Sequence, residues 1–160
     1  MWNVTVLAVG KLKEAFYLDA VKEYAKRLSG YCQFRLLELP EYRLCEDPSP
    51  AQIREGLAKE AQMIREKLPR GAWFCVLTPE GKKLSSEGFA DKLREVKLGG
   101  KSSACFLLGS SFGIDPELKA QADFRLSFSD MTFPHHLARV MLLEQIYRAE
   151  SIQAGTKYHK

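Results

Sequence analysis

The sequence predicts an α/β fold in which a mostly parallel sheet is covered by helices on both faces. Two observations carry this. Short β-branched or apolar runs alternate with longer stretches of helical periodicity along the chain, the order expected of successive βαβ units. The inner runs, Ala72 to Leu77 and Ser103 to Leu108, are almost wholly apolar rather than alternating, as strands buried on both faces must be. Length agrees with one domain over 1–160: a chain of 160 residues buries roughly two-thirds of its unfolded surface without disulfide or metal staples. There is no internal repeat, linker or low-complexity segment.

Taken in order, Trp2 to Val9 is β-branched-rich and ends at Gly10, a first strand. Phe16 to Leu28 sets Leu18, Val21, Ala25 and Leu28 at helical spacing. Phe34 to Leu39 reads as a second strand closed by Pro40, and Glu41 to Pro50 as a long loop suited to mobility or a partner. Pro50 opens a helix with Ile53, Leu57, Ala61, Ile64 and Leu68 on one face, stopped by Pro69 and Gly71. The strand Ala72 to Leu77 is followed by an expected turn, Thr78-Pro79-Glu80-Gly81. Ser85 or Ser86 caps a helix carrying Phe89, Leu93 and Val96, ended by Gly99-Gly100. The strand Ser103 to Leu108 runs into Gly109-Ser110-Ser111-Phe112-Gly113, a short helix follows Pro116, and Phe124 to Phe128 is a last strand. The final helix starts near Pro134, runs to about Ile152 and closes at Gly155.

Composition bounds the function. A net charge of +4 is compatible with an anionic partner but does not identify one. The four cysteines form no CxxC pair, and Cys75 and Cys105 sit in apolar runs, reading as small buried hydrophobes. The opening MWNVTVLAVGKLKE is too short an apolar stretch for a signal peptide or membrane span, so a reduced cytoplasmic location is expected.

Ligands of open parallel sheets bind outside the carboxyl ends of the strands. Three loops follow strands here: Thr78 to Lys82, Gly109 to Gly113, and Ser127 to Pro134. Each is rich in Gly, Ser, Thr or Pro, and together they suggest a small-ligand pocket. Neither GxGxxG nor GxxxxGK[ST] occurs, so a dinucleotide or nucleoside triphosphate has no motif support; alone, Gly109 to Gly113 is more often an ordinary strand-to-helix turn, and the site reading gains only from the other two loops. No metal-ligand spacing occurs either. His135 and His136 would diverge by roughly 100° on a helix and cannot clamp one ion, which leaves them as helix-start polar residues or as groups facing substrate.

In the last helix Leu137, Val140, Met141 and Tyr147 share one face while Leu142, Leu143 and Ile146 make the adjacent face apolar. So wide an apolar surface indicates deep burial or a subunit interface. Arg139 falls near the second face, and Glu144 with Arg148 forms an i,i+4 pair. In the tail, Tyr158 offers a ring for base stacking, Lys157 and Lys160 offer cations for phosphate, and His159 can exchange a proton near neutral pH. Composition alone leaves a disordered basic end equally open.

The segment TFPHHLARVMLLEQIYRAESI with a terminal YHK closely resembles the signature of the ribosomal RNA large subunit methyltransferase H family, small SPOUT-type enzymes that methylate N3 of pseudouridine 1915 in 23S rRNA. The resemblance extends along the chain, through Ala8-Val9-Gly10-Lys11 and the Leu77 to Lys82 turn, and is most specific at the C-terminus. It implies an α/β-knot (SPOUT) fold with a C-terminal trefoil knot, an obligate homodimer, and S-adenosylmethionine (SAM) held at Leu77, Gly109, Phe128, Ser129, Asp130, Met131, Thr132 and Phe133. It implies no metal and no membrane. As catalytic residues it suggests His159 to accept or position the N3 proton, Tyr158 to stack, and Arg139, Arg148 and Lys160 to hold RNA or developing charge. The expected substrate is 23S rRNA in the assembled ribosome, because so weakly basic a protein needs shape to supply specificity. Alternatives are a SPOUT enzyme with another RNA target, or a non-catalytic ribosome-binding module. One departure is Ser110, where many relatives carry glycine; serine fits there only at negative φ.

Overall fold

The chain begins with β1 (Asn3–Val9), α1 (Ala15–Leu28) and β2 (Gln33–Leu39), followed by α2 (Pro50–Lys67) and β3 (Trp73–Lys83). Then come α3 (Ser86–Leu98), β4 (Ser103–Leu108), α4 (Pro116–Gln121), β5 (Phe124–Ser127) and α5 (His135–Ala154). This is the order in a computed structural model describing residues 1–160. Every expected element is present, with boundaries moved by a residue or two except at β3. The strands form one sheet in the order β2-β1-β4-β3-β5, and every pairing is parallel.

Strand alternation divides the core into two layers. Val4, Val6, Ala8, Cys75, Phe106 and Leu108 face α1, α3 and α5. Leu7, Val9, Phe74, Val76, Cys105 and Leu107 face α2 and α4. Both faces are covered, which is why the inner strands read as continuous apolar runs. Cys75 and Cys105 lie in these layers at 0% exposure, and burial pushes the Cys105 thiol up to about 12, the behaviour of packing residues rather than reactive ones.

The expected turn at Thr78 to Gly81 is corrected. Strand β3 continues to Lys83, with its register on β5 shifting between Leu77 and Lys82. The extra residues bulge outward and pairing resumes beyond them. Gly81 makes this possible: a Cβ there would lie 2.7–2.8 Å from the backbone of Arg125 and Leu126, so β5 passes directly against the bulge. The turn-forming residues do mark a local disruption, but the neighbouring strand keeps them in the sheet.

The final helix resolves its two apolar faces differently. Leu142, Leu143 and Ile146 are fully buried, each worth roughly 1.5–3 kcal/mol of transfer free energy. Leu137, Val140, Met141 and Tyr147 remain half-buried. Helix α5 packs against both α1 and α3 and stops at Gly155, which takes the left-handed conformation at φ 73°. The loop between β2 and α2 is pinned rather than free: Tyr42 and Leu44 pack against Gly56 of α2.

Candidate functional site

Strands β4, β3 and β5 are neighbours, so the loops after β4 and β5 converge on the bulge within β3. They enclose a cleft of about 370 Å³, within the range of small-ligand sites. Of the cofactor residues expected from the sequence, Leu77, Gly109, Phe128, Ser129, Met131, Thr132 and Phe133 line it. Asp130 does not. The Ser127 hydroxyl donates to the Ser129 carbonyl and the Met131 amide to the Ser129 hydroxyl. Asp130 lies at the tip of that tight turn, exposed and paired with Lys83 at 2.5 Å.

The cleft floor is set by backbone. A Cβ at Gly109 would lie 2.6 Å from Ile114 Cγ1 and 2.8 Å from the Gly113 carbonyl carbon, so only glycine lets the loop fold back on itself. Ser110 adopts negative φ, since no residue other than glycine is at positive φ, and the serine is accommodated without strain. Its hydroxyl donates to Glu60 Oε1 at 3.0 Å, and the other oxygen of that carboxylate accepts the Tyr42 amide at 3.0 Å. Glu60 is 4% exposed; burial raises its pKa despite these two donors. Sequence reasoning missed Glu60 because it sits among charged residues of an amphipathic helix, with no local sign that it faces inward. Lys119, also missed, lines the cleft and bonds Glu80 at 2.7 Å, an interaction that holds the Glu80 carboxyl at about 2.

The tail is ordered against α5 and α3. Glu144 accepts from Arg148 Nε at 2.8 Å and from the Tyr158 hydroxyl at 3.1 Å. The Tyr158 ring packs edge-on to Tyr147 and lies 4.7 Å from the Arg148 guanidinium carbon. Burial, with Glu144 adding to it, pushes the phenol up to about 12, so Tyr158 remains a donor at neutral pH. His159 lies between Arg148, 3.0 Å from its Nδ1, and Glu87, 2.7 Å from its Nε2. Because a guanidinium only donates, Nδ1 is the acceptor and Nε2–H donates to Glu87. Lys160 is exposed.

Two placements differ from expectation. Arg139 is 1% exposed, bonding Glu38 at 2.6 Å and the Gly10 carbonyl at 3.1 Å. It joins α5 to the ends of β1 and β2 and has no surface to offer RNA in this protomer. An arginine within an apolar stripe signalled a special role, but the partner that explains it lies 101 positions away in sequence. Secondly, none of Arg148, Tyr158, His159 or Lys160 lines the cleft. Leu126, Ser127 and Phe128 stand between the cleft and a groove of about 520 Å³ that includes Glu144, Ser85 and Ser86; the tail lies on the groove side.

A parallel α/β sheet with a backbone-built cleft at the carboxyl ends of adjacent strands defines a small-molecule-binding protein of the open-sheet class. The family model described as "Predicted SPOUT methyltransferase" matches residues 2–159. Proteins named ribosomal RNA large subunit methyltransferase H are similar along the whole chain. Those of Bifidobacterium adolescentis and Leuconostoc citreum are 44% and 41% identical, each over 99% of both sequences. That of Moorella thermoacetica is 41% identical over 100% of both. The chain therefore belongs to the ribosomal RNA large subunit methyltransferase H family of SPOUT methyltransferases. Solved structures share the fold: a probable methylase family protein from Haemophilus influenzae (TM-score 0.56, 9% identity, 98% of this chain and 70% of that one), and a protein studied for 2-OH methylation of C/U34 on tRNA (TM-score 0.52, 18% identity, 96% and 98%).

Membership implies SAM-dependent methylation, and the cleft fits that cofactor. Its size and its floor at Gly109, where no Cβ intrudes, let a ligand lie close against backbone.

Proposed function

We propose that this chain methylates N3 of pseudouridine 1915 in 23S rRNA, using SAM, as a cytoplasmic homodimer acting on the assembled ribosome. The observation that carries the reading is the meeting of the β3 bulge with the loops after β4 and β5 at one glycine-floored cleft, in a chain of this family. The protein acts as a single domain over 1–160, and its C-terminal segment threads a loop as a trefoil knot. The close passage of β5 across Gly81 and the return of α5 to α1 and α3 support that path.

Leu77, Gly109, Phe128, Ser129, Met131, Thr132 and Phe133 hold the cofactor, and Asp130 closes the rim. When bound, SAM supplies an electrophilic methyl group, so no metal is needed. The remaining work is to align the nucleophile and take the N3 proton. His159 is the acceptor: its Nδ1 lone pair becomes available when Arg148 turns from the ring toward RNA or the N3 anion. Tyr158 stacks on the substrate, and Lys160 meets phosphate.

The separation of tail and cleft within one protomer supports a dimer in which each tail completes the partner's site, as does the half-exposed face of Leu137, Val140 and Met141. Deleting Tyr158 to Lys160 should abolish methyl transfer to ribosomes while SAM affinity and dimerisation survive. Co-expressing that deletion with a Gly109→Ala chain should restore transfer, because one hybrid site is intact. Wild-type rates in the deletion would remove the tail from the mechanism, and an inactive hybrid would remove sharing between subunits.

A further inference from the structure

A second cleft, of about 930 Å³, adjoins the first. His135 lines both. Phe112 lines the second, while its neighbours Ser111 and Gly113 line the first. Its walls carry three exposed cations, Lys11, Lys13 and Arg43, and none of them takes part in an ion pair. The lysines flank Leu12, which is 3% exposed and whose amide donates to Glu38 at 2.9 Å, so they stand on anchored backbone.

The carboxylates of the cleft are already engaged. Glu38 binds Arg139 and the Leu12 amide, and Glu41 accepts from the Ser111 hydroxyl at 3.0 Å. Glu41 keeps its charge, since its donor is a neutral hydroxyl, but the three free cations outweigh it and leave the cleft net positive. Two aromatic rings stand among these cations, Tyr42 at 39% exposure and Phe112 at 45%. Glu60 holds the Tyr42 amide, and the turn that carries Phe112 is closed by the Gly113 amide donating to the Ser110 carbonyl at 2.9 Å. Unpaired cations alternating with exposed rings are what a single nucleic-acid strand needs: cations for phosphates, ring faces for bases.

We propose that this second cleft binds the RNA strand flanking the methylated nucleotide, with Lys11, Lys13 and Arg43 on phosphates and Tyr42 and Phe112 against bases. The inference rests on the rRNA-methyltransferase reading and extends it to a surface away from the cofactor.

The test uses the full chain with Lys11→Ala, Lys13→Ala and Arg43→Ala combined, all at exposed positions. On large ribosomal subunits the KM should rise by about tenfold or more, with kcat and SAM affinity unchanged. The slope of log affinity against log salt should fall by about one for each phosphate that the variant no longer neutralises. Cys45 gives an independent readout in the wild-type protein. It lines this cleft and is the one exposed cysteine, the other three being buried. Bound RNA should protect it from alkylation, and SAM alone should not. An unchanged KM and salt slope, or undiminished Cys45 alkylation in the RNA complex, overturns the proposal while leaving the enzyme reading intact. RNA that binds the wild type and protects Cys45, in a protein that transfers no methyl to any rRNA, upholds the surface and overturns the reading beneath it. Failure of the wild type to bind large ribosomal subunits overturns both.

Discussion

The cleft beside Gly109 and the C-terminal tail both carry candidate site residues, yet different forces hold them. Around Gly109 the chain folds back so closely that a single Cβ would overlap the Gly113 carbonyl and the Ile114 side chain. Beneath it, Glu60 ties the loop to the segment after β2 from a position inaccessible to water. The tail from Tyr158 to Lys160 touches no core layer in this way. It is held by Glu144, Arg148 and Glu87, with part of each contact open to solvent. Backbone packing permits few alternatives because interiors are close to crystalline in density. Half-exposed ion pairs are individually worth about 0–1 kcal/mol and can be exchanged for others. The cleft is thus suited to a pre-formed cofactor site, and the tail to contacts that re-form on a substrate or a second subunit.

The strongest way to break that comparison is Gly109→Ala. Overpacking of this kind costs about 1–3 kcal/mol, and a loop that shifts to relieve it loses its alignment on the cofactor. SAM affinity measured by calorimetry should fall about tenfold to a hundredfold, with a lowered melting temperature. Wild-type affinity in this variant would mean that the floor yields easily, and the distinction between the two regions would fail.

Glu60 tests the same region through stability rather than through cofactor affinity. In Glu60→Ala the Ser110 hydroxyl and the Tyr42 amide lose their acceptor inside the protein, a penalty of about 1–3 kcal/mol. Glu60→Gln keeps one acceptor and should recover most of it. The pH dependence has a definite sign. The folded-state pKa of Glu60 is raised, so the native state binds the proton more tightly than the unfolded chain. The resulting stabilisation is full below the ordinary value of 4.5 and is lost as pH rises through the raised pKa. Denaturant titrations from pH 4 to 8 should therefore show the wild type losing stability relative to Glu60→Gln as pH increases. Parallel curves would show that the carboxyl ionises in the fold as freely as in the unfolded chain.

What the sequence made legible follows the same division. Strand order along the chain, both core faces and the three segments that meet at the cleft could be read from apolar periodicity and turn residues, because those signals are local. The inward direction of Glu60, the burial of Arg139 on Glu38 and the continuation of β3 past Pro79 depend on partners 50, 101 and about 45 positions distant. Asp130 illustrates the limit at finer scale: the segment Phe128 to Phe133 lies at the cleft, but a turn made by two serines directs that one carboxylate to Lys83. The tail's order was illegible for a related reason. Its composition suits solvent, and only the placement of Glu87 and Glu144 beside it supplies partners.

Glu87→Ala should have the smallest effect on the fold and the most selective effect on the tail. Removing this carboxylate takes away the acceptor of His159 Nε2–H and leaves Arg148 as the only remaining partner of the ring. Glu87 is 64% exposed at its side chain, so the fold should hardly be affected and the melting temperature should stay close to that of the wild type. SAM affinity should be unchanged, since the cleft is on the far side of Leu126 to Phe128. Arg148 alone then fixes the tautomer, and only while it stays on Nδ1: whenever it swings away, the proton can reside on either nitrogen. The ring resonances of His159 in nitrogen-detected NMR should shift from a single tautomer toward a mixture, and methyl transfer should change through kcat rather than through cofactor binding. A melting shift as large as that of Gly109→Ala would show instead that the tail is part of the packed core, and that both halves of the site are equally rigid.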